Sequence, residues 1–236
     1  MAKSDNDERE ERILAAATEL FVYYGYDKTT VSDIAVSAGI SKGAVYLHFD
    51  SKDDLFEAVM VRELGAYTER WFDLIEADPQ GGTIGGMYKN SLYALNASDF
   101  MAAMFKRDSR VLGNYVRKPG NLFMSMRESQ ETSPRLVFVR MMQEAGAMRQ
   151  DMDPAVIAHI MDMLAYGLVA IDDIVPKEQA PPMEDVIEGI ATIMDRALTP
   201  ADGGNSEAGK IIIRQIAETA RQRFEATDGE PEEIEP

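Results

Sequence analysis

Apolar residues recur at intervals of three and four positions along most of this 236-residue chain. The first such stripe begins at Ile13 and ends before Gly25, and later stripes continue to about residue 225. This period places apolar side chains on one face of an α-helix, whereas a half-buried strand needs strict alternation. No alternation persists for the length of a strand. The sequence therefore predicts an all-α protein, long enough for one large domain or two smaller ones.

Composition argues against several classes of function. The chain has no cysteine and two histidines, which disfavours disulfide frameworks, cysteine nucleophiles and histidine-rich metal centres. Glycine-rich phosphate loops and nucleophile-elbow motifs are also missing from the sequence. We therefore predict that the protein is not an enzyme and has no catalytic residue, metal or cofactor. The charged N-terminus and the lack of a long apolar run favour a cytoplasmic protein without a membrane partner.

Glycines, prolines and capping residues divide the chain into segments. Thr30 with Asp33, and Ser51 with Asp54, form capping-box patterns, in which side chains satisfy the free backbone donors of a first helical turn. The predicted helices cover residues 13–24, 30–38, 42–48, 52–76, 84–95, 98–112, 119–128, 134–148, 154–174, 184–198 and 206–225.

Two of the short predicted helices are joined by a turn and follow a longer supporting helix. Ala35 is small where the two helices must approach, Gly39 lies in the turn, and Val45 points inward from the second helix. These are the elements of a helix-turn-helix, whose second helix enters the major groove of DNA. Helical hairpins in ordinary domains imitate this pattern, so the spacing alone leaves a purely structural role open.

The residues around this motif resemble the TetR family of one-component regulators. The resemblance lies in residues 13–21, in Gly25-Tyr26 and in residues 29–55, and it covers about residues 9–60. It implies a helix-turn-helix head followed by a helical domain for ligand binding and dimerisation. The expected organisation is a flexible N-terminus (1–8), a DNA-binding domain (9–51), a ligand-binding and dimerisation domain (52–225, with 52–76 as connecting helix) and an acidic disordered tail (226–236).

Side chains at the start of a recognition helix reach base edges. Lys42 can donate to guanine or to a phosphate, Gly43 lets the backbone approach, and Ala44 can contact a thymine methyl group. The family resemblance adds Tyr46 and His48 as phosphate contacts. The alternatives are that Tyr46 belongs to the core and that His48 is an ordinary solvated histidine.

Three further residues stand at helix N-termini, where backbone N–H groups and the helix dipole attract phosphate. They are Thr30, Ser41 and Lys52. The first two are capping residues before they are anything else, so any phosphate contact would be additional. The predicted DNA-binding residues are thus Thr30, Ser41, Lys42, Gly43, Ala44, Tyr46, His48 and Lys52.

The charge of the chain opposes this function at first sight. Lys and Arg total 24 against 41 Asp and Glu, a net charge of −17, and the first 55 residues contribute −5 of it. DNA-binding domains normally present a basic surface. The alternative function is therefore a helical protein-interaction module that has lost sequence-specific DNA binding. For a DNA-binding protein, the same charge predicts weak non-specific affinity.

In the family resemblance, the last pair of long helices forms a homodimer. The corresponding segments here are 154–174, with Ile157, Ile160, Met161, Leu164 and Leu168, and 184–198, with Val186, Ile190, Ile193 and Met194. Core packing within one chain explains these apolar stripes equally well. We expect the extra helix near 206–225 to support the dimer.

A small-molecule effector pocket is also implied, and flexible methionines with aromatic rings suit apolar ligands. The candidate residues are Phe100, Met104, Phe105, Phe123, Met126, Phe138, Met142, His159, Met163 and Tyr166. Core packing explains each of them as well, and His159 is expected to be a hydrogen-bonded core histidine. An anionic effector would use the basic residues within 106–118, whereas Glu144 or Asp162, if buried, would favour a cation.

Together these features predict a ligand-responsive regulator. We expect a dimer that binds a palindromic DNA operator with its recognition helices about 34–36 Å apart. A small apolar or amphipathic effector would pivot the connecting helix 52–76 and release the DNA. Repression is the usual sign in the family, and the sequence leaves activation open.

Overall fold

The computed structural model describes residues 5–128, 133–171, 174–201 and 206–227. Its α-helices are α1 (Asp5–Tyr24), α2 (Val31–Ser37), α3 (Lys42–Val45), α4 (Lys52–Ala77), α5 (Ile84–Asn96), α6 (Asp99–Lys106), α7 (Ser109–Leu112), α8 (Leu122–Glu128), α9 (Pro134–Glu144), α10 (Pro154–Ala170), α11 (Met183–Leu198) and α12 (Ser206–Thr227). Short 3₁₀ turns span Gly113–Arg117 and Lys177–Gln179. These ranges contain no strand, and the prediction of an all-α fold is confirmed. None of their helices combines the length and the apolar character needed to cross a membrane.

Helix ends differ from the prediction where a local hydrogen bond or a left-handed residue stops the helix. The predicted helix 98–112 is two helices, because Arg107 has a φ of 52° and the Asp108 side chain accepts a hydrogen bond from the Arg110 N–H at the start of α7. Helix α9 ends at Glu144, before Gly146 with its φ of 71°.

The chain divides into two compact units. The first comprises residues 1–71, 92–134 and 160–180, and the second comprises 72–91, 135–159 and 181–236. The predicted boundary between residues 51 and 52 lies inside the first unit. Helix α1 begins at Asp5, within the stretch 1–8 that was predicted to be flexible, and α12 extends to Thr227. Residues 1–4 and the tail from 228 to 236 lie outside the described residues.

Phe56, on the second turn of α4, is at the centre of the first unit's core. Its ring centroid lies 4.7 Å from that of Phe21 on α1, 4.8 Å from that of Tyr115 and 5.7 Å from that of Phe100 on α6, all in edge-on arrangements. Edge-on packing brings the positive edge of one ring to the negative face of another. The hydrophobic core is therefore shared between the helix-turn-helix and residues 95–115.

In the second unit, helix α5 packs closely against α11 at a glycine. A Cβ atom on Gly85 would lie 2.3 Å from the Ala191 carbonyl oxygen. Asp195 of α11 accepts hydrogen bonds from the Gly85 N–H (2.7 Å) and from the Thr83 hydroxyl (3.3 Å). The carboxylate thus satisfies a free donor in the first turn of α5 and complements that end of the helix dipole.

Candidate DNA-binding site

Helix α2 begins with a closed capping box. Thr30 Oγ1 accepts a hydrogen bond from the Asp33 N–H (3.2 Å), and the Asp33 carboxylate accepts from the Thr30 N–H (3.0 Å) and hydroxyl (2.6 Å). These hydrogen bonds from Thr30 lower the pKa of the Asp33 carboxyl. A carboxylate therefore occupies part of the helix start at which the sequence predicted a phosphate contact.

The turn between α2 and α3 depends on a glycine. Gly39 has a φ of 68°, a left-handed conformation that residues with a Cβ atom adopt at a cost. The Ile40 N–H then donates to the Ala35 carbonyl oxygen at 3.0 Å, which closes the end of α2. Ile34 and Ala35 on α2 are buried, so the turn is held against the core of the first unit.

Helix α3 starts at Ser41, whose Oγ accepts a hydrogen bond from the Ala44 N–H at 3.1 Å. The α-helix itself ends at Val45, and the chain continues in a tighter turn in which the His48 N–H donates to the Val45 carbonyl oxygen. The predicted helix 42–48 is therefore a four-residue helix followed by a turn. Val45 is 1% exposed and anchors this element in the core.

The side of α3 opposite to Val45 is open to solvent. Lys42 and Gly43 are exposed, and Tyr46 is 45% exposed, so Tyr46 is not a core residue. The Lys42 ammonium lies 5.8 Å from the centroid of the Tyr46 ring, within the range of a cation–π interaction. A Cβ atom on Gly43 would have one neighbour within 4 Å, Ser41 Oγ at 3.9 Å. The surface predicted to face DNA is thus accessible and can accept an added side chain.

The side chain of His48 is largely covered. It is 5% exposed, and its Nδ1 atom lies 3.5 Å from Glu10 Oε2 on α1. The alternative interpretation as an ordinary solvated histidine is therefore wrong, because α1 packs beside this turn. The phosphate contact of His48 stays a prediction.

Lys52, at the start of α4, already has partners within the protein. Its ammonium donates to the carbonyl oxygens of Tyr26 (2.9 Å) and Thr29 (3.2 Å) and lies 4.0 Å from the centroid of the Tyr26 ring. Burial lowers the pKa of Lys52, while Asp27 and Asp53 act in the opposite direction. The side chain ties α4 to the loop before α2, so its predicted phosphate contact has no support from its position.

A second basic residue, Lys118, also contacts the start of α4 and the loop that precedes α2. The Lys118 ammonium donates to both Asp53 carboxylate oxygens (2.7 and 2.5 Å) and to the Tyr26 hydroxyl oxygen (2.9 Å), and the Tyr26 hydroxyl donates to Asp53. One turn further along α4, the Tyr115 hydroxyl donates to Glu57 at 2.6 Å. We call this cluster of Tyr26, Asp53, Glu57, Tyr115 and Lys118 the α4 junction.

Two glycines let the chain segments approach at the α4 junction. A Cβ atom on Gly25 (φ 81°) would lie 2.2 Å from the Arg110 carbonyl oxygen, and one on Gly113 (φ 56°) would lie 2.7 Å from the Asp27 carboxylate. That carboxylate accepts a hydrogen bond from the Asn114 N–H at 3.2 Å. The loop after α1 is therefore in direct backbone contact with α7, and its Asp27 side chain holds the segment that follows α7.

Groups later in the chain offset part of the acidity of the first 55 residues. Glu11 pairs with Arg62 and Asp53 with Lys118, while Asp27 accepts a hydrogen bond from a backbone N–H. Within the described residues, no carboxylate pairs with Lys42. The net charge of the chain therefore does not describe the local charge at the start of α3.

Sequence reasoning missed two exposed apolar residues of the motif. Leu47 is 84% exposed and Val36 is 81% exposed. A signal for Leu47 exists, because a residue two positions from a buried one in a helical turn points away from the core, and Val45 and Phe49 are both buried.

The candidate effector residues do not share one environment. Phe100, Met104 and Met142 are buried, Phe105, Phe123 and Phe138 are half-buried, and His159, Met163 and Tyr166 are exposed. The side chain of Met126 lies outside the described residues. The expectation that His159 is a core histidine is wrong, because it lies on the side of α10 opposite to the buried Ile157 and Met161.

Several of the charged side chains predicted to bind an anionic or cationic effector are paired within the protein or exposed. Lys118 belongs to the α4 junction, while Arg110 and Lys106 pair with Asp108, at 2.7 and 3.7 Å. Glu144 is exposed, so a buried carboxylate for a cationic effector is not present there. An open cleft of about 670 Å³ in the second unit is lined by residues outside the predicted set: Gly146, Met148, Arg149, Gln150, Asp151, Thr199, Pro200 and Ala201.

The residues predicted for the dimer divide between the two sides of their helices. Ile157, Met161, Leu168 and Met194 are buried within the chain, which corrects their assignment to a dimer surface. Other apolar residues of the same helices are free: Val156 (50% exposed), Ile160 (41%), Met163 (60%), Tyr166 (51%) and, on α11, Ile193 (65%).

Comparison with known proteins agrees with this geometry. Residues 13–59 match the family model described as bacterial regulatory proteins, tetR family. The HTH-type transcriptional repressor Rv1474c of Mycobacterium tuberculosis is 30% identical over 162 residues, which cover 69% of this chain and 81% of that protein.

Two solved structures share the fold. A TetR-family transcriptional regulator from Mesorhizobium loti has a TM-score of 0.62 at 19% identity and covers 84% of this chain and 100% of its own. The regulator FadR from Bacillus subtilis, solved in complex with stearoyl-CoA, has a TM-score of 0.56 at 17% identity and covers 78% of this chain and 96% of its own. The family model on the helix-turn-helix and the extensive match to Rv1474c show that the chain belongs to the TetR family of transcriptional regulators.

Proposed function

We propose that this regulator is a repressor that binds a palindromic DNA operator as a homodimer and leaves it when a small apolar or amphipathic effector binds. The observation that carries the proposal is the open face of α3, with Lys42, Gly43 and Tyr46 exposed beside a capped helix start. Repression as the sign of regulation is supported by the name of Rv1474c.

The residues divide into base-reading and phosphate-binding groups. Lys42 and Ala44 would contact base edges while Gly43 brings the α3 backbone close to them. Ser41 would present the start of α3 to a phosphate, and Tyr46 would bind the backbone beside it. A phosphate contact at Thr30 would use the N–H groups that Asp33 leaves free, and one at His48 would require its side chain to leave Glu10. Lys52 instead positions α4, because its ammonium is held by the carbonyl groups of Tyr26 and Thr29.

The exposed apolar face of α10, with Ile160, Met163 and Tyr166, is the proposed dimer surface. A second copy of the same face would cover these apolar side chains and remove them from water. Such a self-complementary contact is the usual form of a two-fold dimer.

The α4 junction offers a route for the effector signal. The Tyr115 hydroxyl accepts a hydrogen bond from the Leu122 N–H at 2.9 Å and donates to Glu57, so the start of α8 is linked to α4. Phe123, a candidate effector contact, is the next residue on α8. An effector that displaces α8 would move α4 and change the distance between the two recognition helices, provided that it binds the two arrangements with different affinities.

A DNA selection with the purified protein tests the proposal, and Gly43 makes the test sharp. Gly43→Gln adds a side chain that the protein itself can accommodate, so a loss of operator affinity reports on DNA at this position. We expect a loss of about tenfold or more, the cost typical of one mismatched contact. Gly65→Gln on α4 is the matched control, because Gly65 is exposed and has no atom within 4 Å of a Cβ position.

The same selection separates the alternative function. A protein-interaction module would return no palindromic site, and Gly43→Gln would then behave like Gly65→Gln. FadR binds stearoyl-CoA in its solved complex, so acyl thioesters belong in a thermal-shift effector screen. An effector that raises the melting temperature should also release the operator.

A further inference from the structure

Helix α12 begins in close contact with the loop between α4 and α5. A Cβ atom on Gly209, in the first turn of α12, would lie 1.9 Å from the Gly82 carbonyl oxygen. In the other direction, a Cβ atom on Gly82 would lie 1.6 Å from the Ser206 carbonyl oxygen. Backbone meets backbone on both sides, so neither glycine can gain a methyl group unless the two segments separate.

Hydrogen bonds fix the same contact. The Ser206 hydroxyl donates to the Pro79 carbonyl oxygen at 3.0 Å, and its oxygen accepts from the Gly82 N–H at 3.0 Å. Ile212 and Ile213, in the next turn of α12, are 8% and 0% exposed. The start of α12 is therefore a docked segment of the second unit.

The docked segment also supplies charges that the end of α4 lacks. The last turn of α4 has no basic residue, although cations stabilise the negative end of a helix dipole. Lys210 of α12 donates to the Glu76 carbonyl oxygen (3.2 Å), and Arg214 donates through two nitrogens to the Glu76 carboxylate (2.8 and 2.7 Å). The Arg214 hydrogen bonds lower the pKa of Glu76.

We propose that α12 is a positioning element for DNA binding: it holds the C-terminal end of α4 and thereby sets the affinity for the operator. Helix α4 is continuous over 26 residues, and its first turn carries Lys52 and Asp53 of the α4 junction. The proposal requires that a contact at one end of this continuous helix affects residues at its other end. The link to DNA rests on the proposed function, whereas the docking of α12 does not.

This role differs from the support of the dimer that the sequence suggested. The glycine contact and the Glu76–Arg214 pair are made within one chain, to the loop 78–82 and to α4. Gly209 interrupts a helix that would be more stable with alanine, and its close contact with Gly82 is the reason for glycine there.

The test uses Gly209→Ala and, from the opposite side of the contact, Gly82→Ala in the full-length protein. Gly65→Ala is the matched control, a helical glycine with open space around it. Trypsin cleavage after Lys210 measures docking directly, because Lys210 is 6% exposed in the docked state. Operator affinity is measured at a temperature well below every unfolding transition, so that all variants are folded.

We expect both contact variants to melt at lower temperature, to be cleaved faster after Lys210 and to lose operator affinity about fivefold or more, the lower end of typical coupling between sites. The control should melt at the same or higher temperature with unchanged cleavage and affinity. Val139→Ala, which leaves a gap at a fully buried position of α9, shows whether destabilisation alone lowers affinity. It should melt at lower temperature and bind the operator normally.

A charge reversal separates positioning from general damage. Arg214→Glu should weaken operator binding, and the added substitution Glu76→Arg should restore it by re-forming the pair in reverse. Fast cleavage with unchanged operator affinity would overturn the positioning role, and a Gly209→Ala protein that melts like the control would overturn the docking. If the wild-type protein selects no operator, the proposed function fails together with the effect on affinity, while cleavage after Lys210 still decides the docking.

Discussion

At the residue scale, the α4 junction shows how side chains acquire roles that their sequence positions do not reveal. Lys52 follows a capping serine and has the appearance of a phosphate ligand, but the carbonyl groups of Tyr26 and Thr29 hold its ammonium. Lys118 belongs to a basic stretch and is bonded to Asp53. In both cases the partner is distant in sequence, so no local pattern could have found it.

Lys118→Met should make the free energy of unfolding depend less on pH in the acidic range. Burial raises the pKa of Asp53, but hydrogen bonds from Lys118 and Tyr26 outweigh it, and the pKa is lowered overall. A carboxylate with a lowered pKa stabilises the fold above its unfolded value of about 3.9, and this contribution is lost as pH falls towards the folded value. Because Lys118 and Asp53 are 38% and 40% exposed, we expect a loss of about 1 kcal/mol or less at pH 7.

Urea denaturation at pH 7 and at acidic pH measures this difference. The variant should lose stability at neutral pH and show a smaller further loss in acid than the wild type. Lys28→Met, which removes an exposed lysine of the first unit, serves as the control and should follow the wild-type pH profile. A parallel shift of the Lys118→Met curve at all pH values would contradict the assignment to Asp53.

At the element scale, the turn between α2 and α3 can be tested separately from packing. A Cβ atom at position 39 would meet nothing within 4 Å, so substitution there carries only the cost of the left-handed backbone. Gly39→Val should destabilise the protein by about 1–2 kcal/mol, and Gly39→Asn by less, because asparagine tolerates this conformation better.

Thermal unfolding of the two variants gives the order directly. Gly65→Ala is a control that should stabilise the protein. Alanine in place of glycine in an exposed helix interior should raise the free energy of unfolding by about 0.5–1 kcal/mol. Equal melting temperatures for the valine and asparagine variants would mean that the turn relaxes and that Gly39 is not needed for its φ.

The positions of the helices were easier to predict than the side of each helix that is buried. Capping boxes at Thr30 and Ser51 and the glycine at 39 indicated α2, the turn and the start of α4, because these signals are local. Helix α10 was also expected, but not which side of it is buried. It is apolar almost all round, so Ile157 and Ile160 look equivalent in the sequence, and only packing separates them.

At the scale of the whole molecule, dimerisation through α10 is the most direct prediction. Ile160→Glu combined with Met163→Glu introduces charge at positions that are 41% and 60% exposed in the single chain. The protein should remain folded, become monomeric in light scattering and lose operator binding, because one head contacts only half of a palindrome. The control replaces the exposed Glu69 and Arg70 of α4 by glutamine. This double variant should keep the mass that light scattering gives for the wild-type protein.

The net charge of −17 leads to a second prediction at this scale. Non-specific affinity comes from the release of counterions by cationic contacts, and the head contributes few of them. A random duplex should therefore bind weakly even at low salt, with a shallow dependence on salt concentration. Tight binding of a random duplex would contradict the view that Lys42 and the helix N-termini act locally.

Gly43 has a consequence for engineering. Because the position is open and its backbone is unstrained, a library of side chains could be installed on α3 without redesign of the fold. Arginine, asparagine or glutamine there would offer new hydrogen-bond donors to the major groove. A regulator of this family with such a spare position is a starting point for sets of mutually orthogonal switches, in which each variant recognises its own operator and ignores the others.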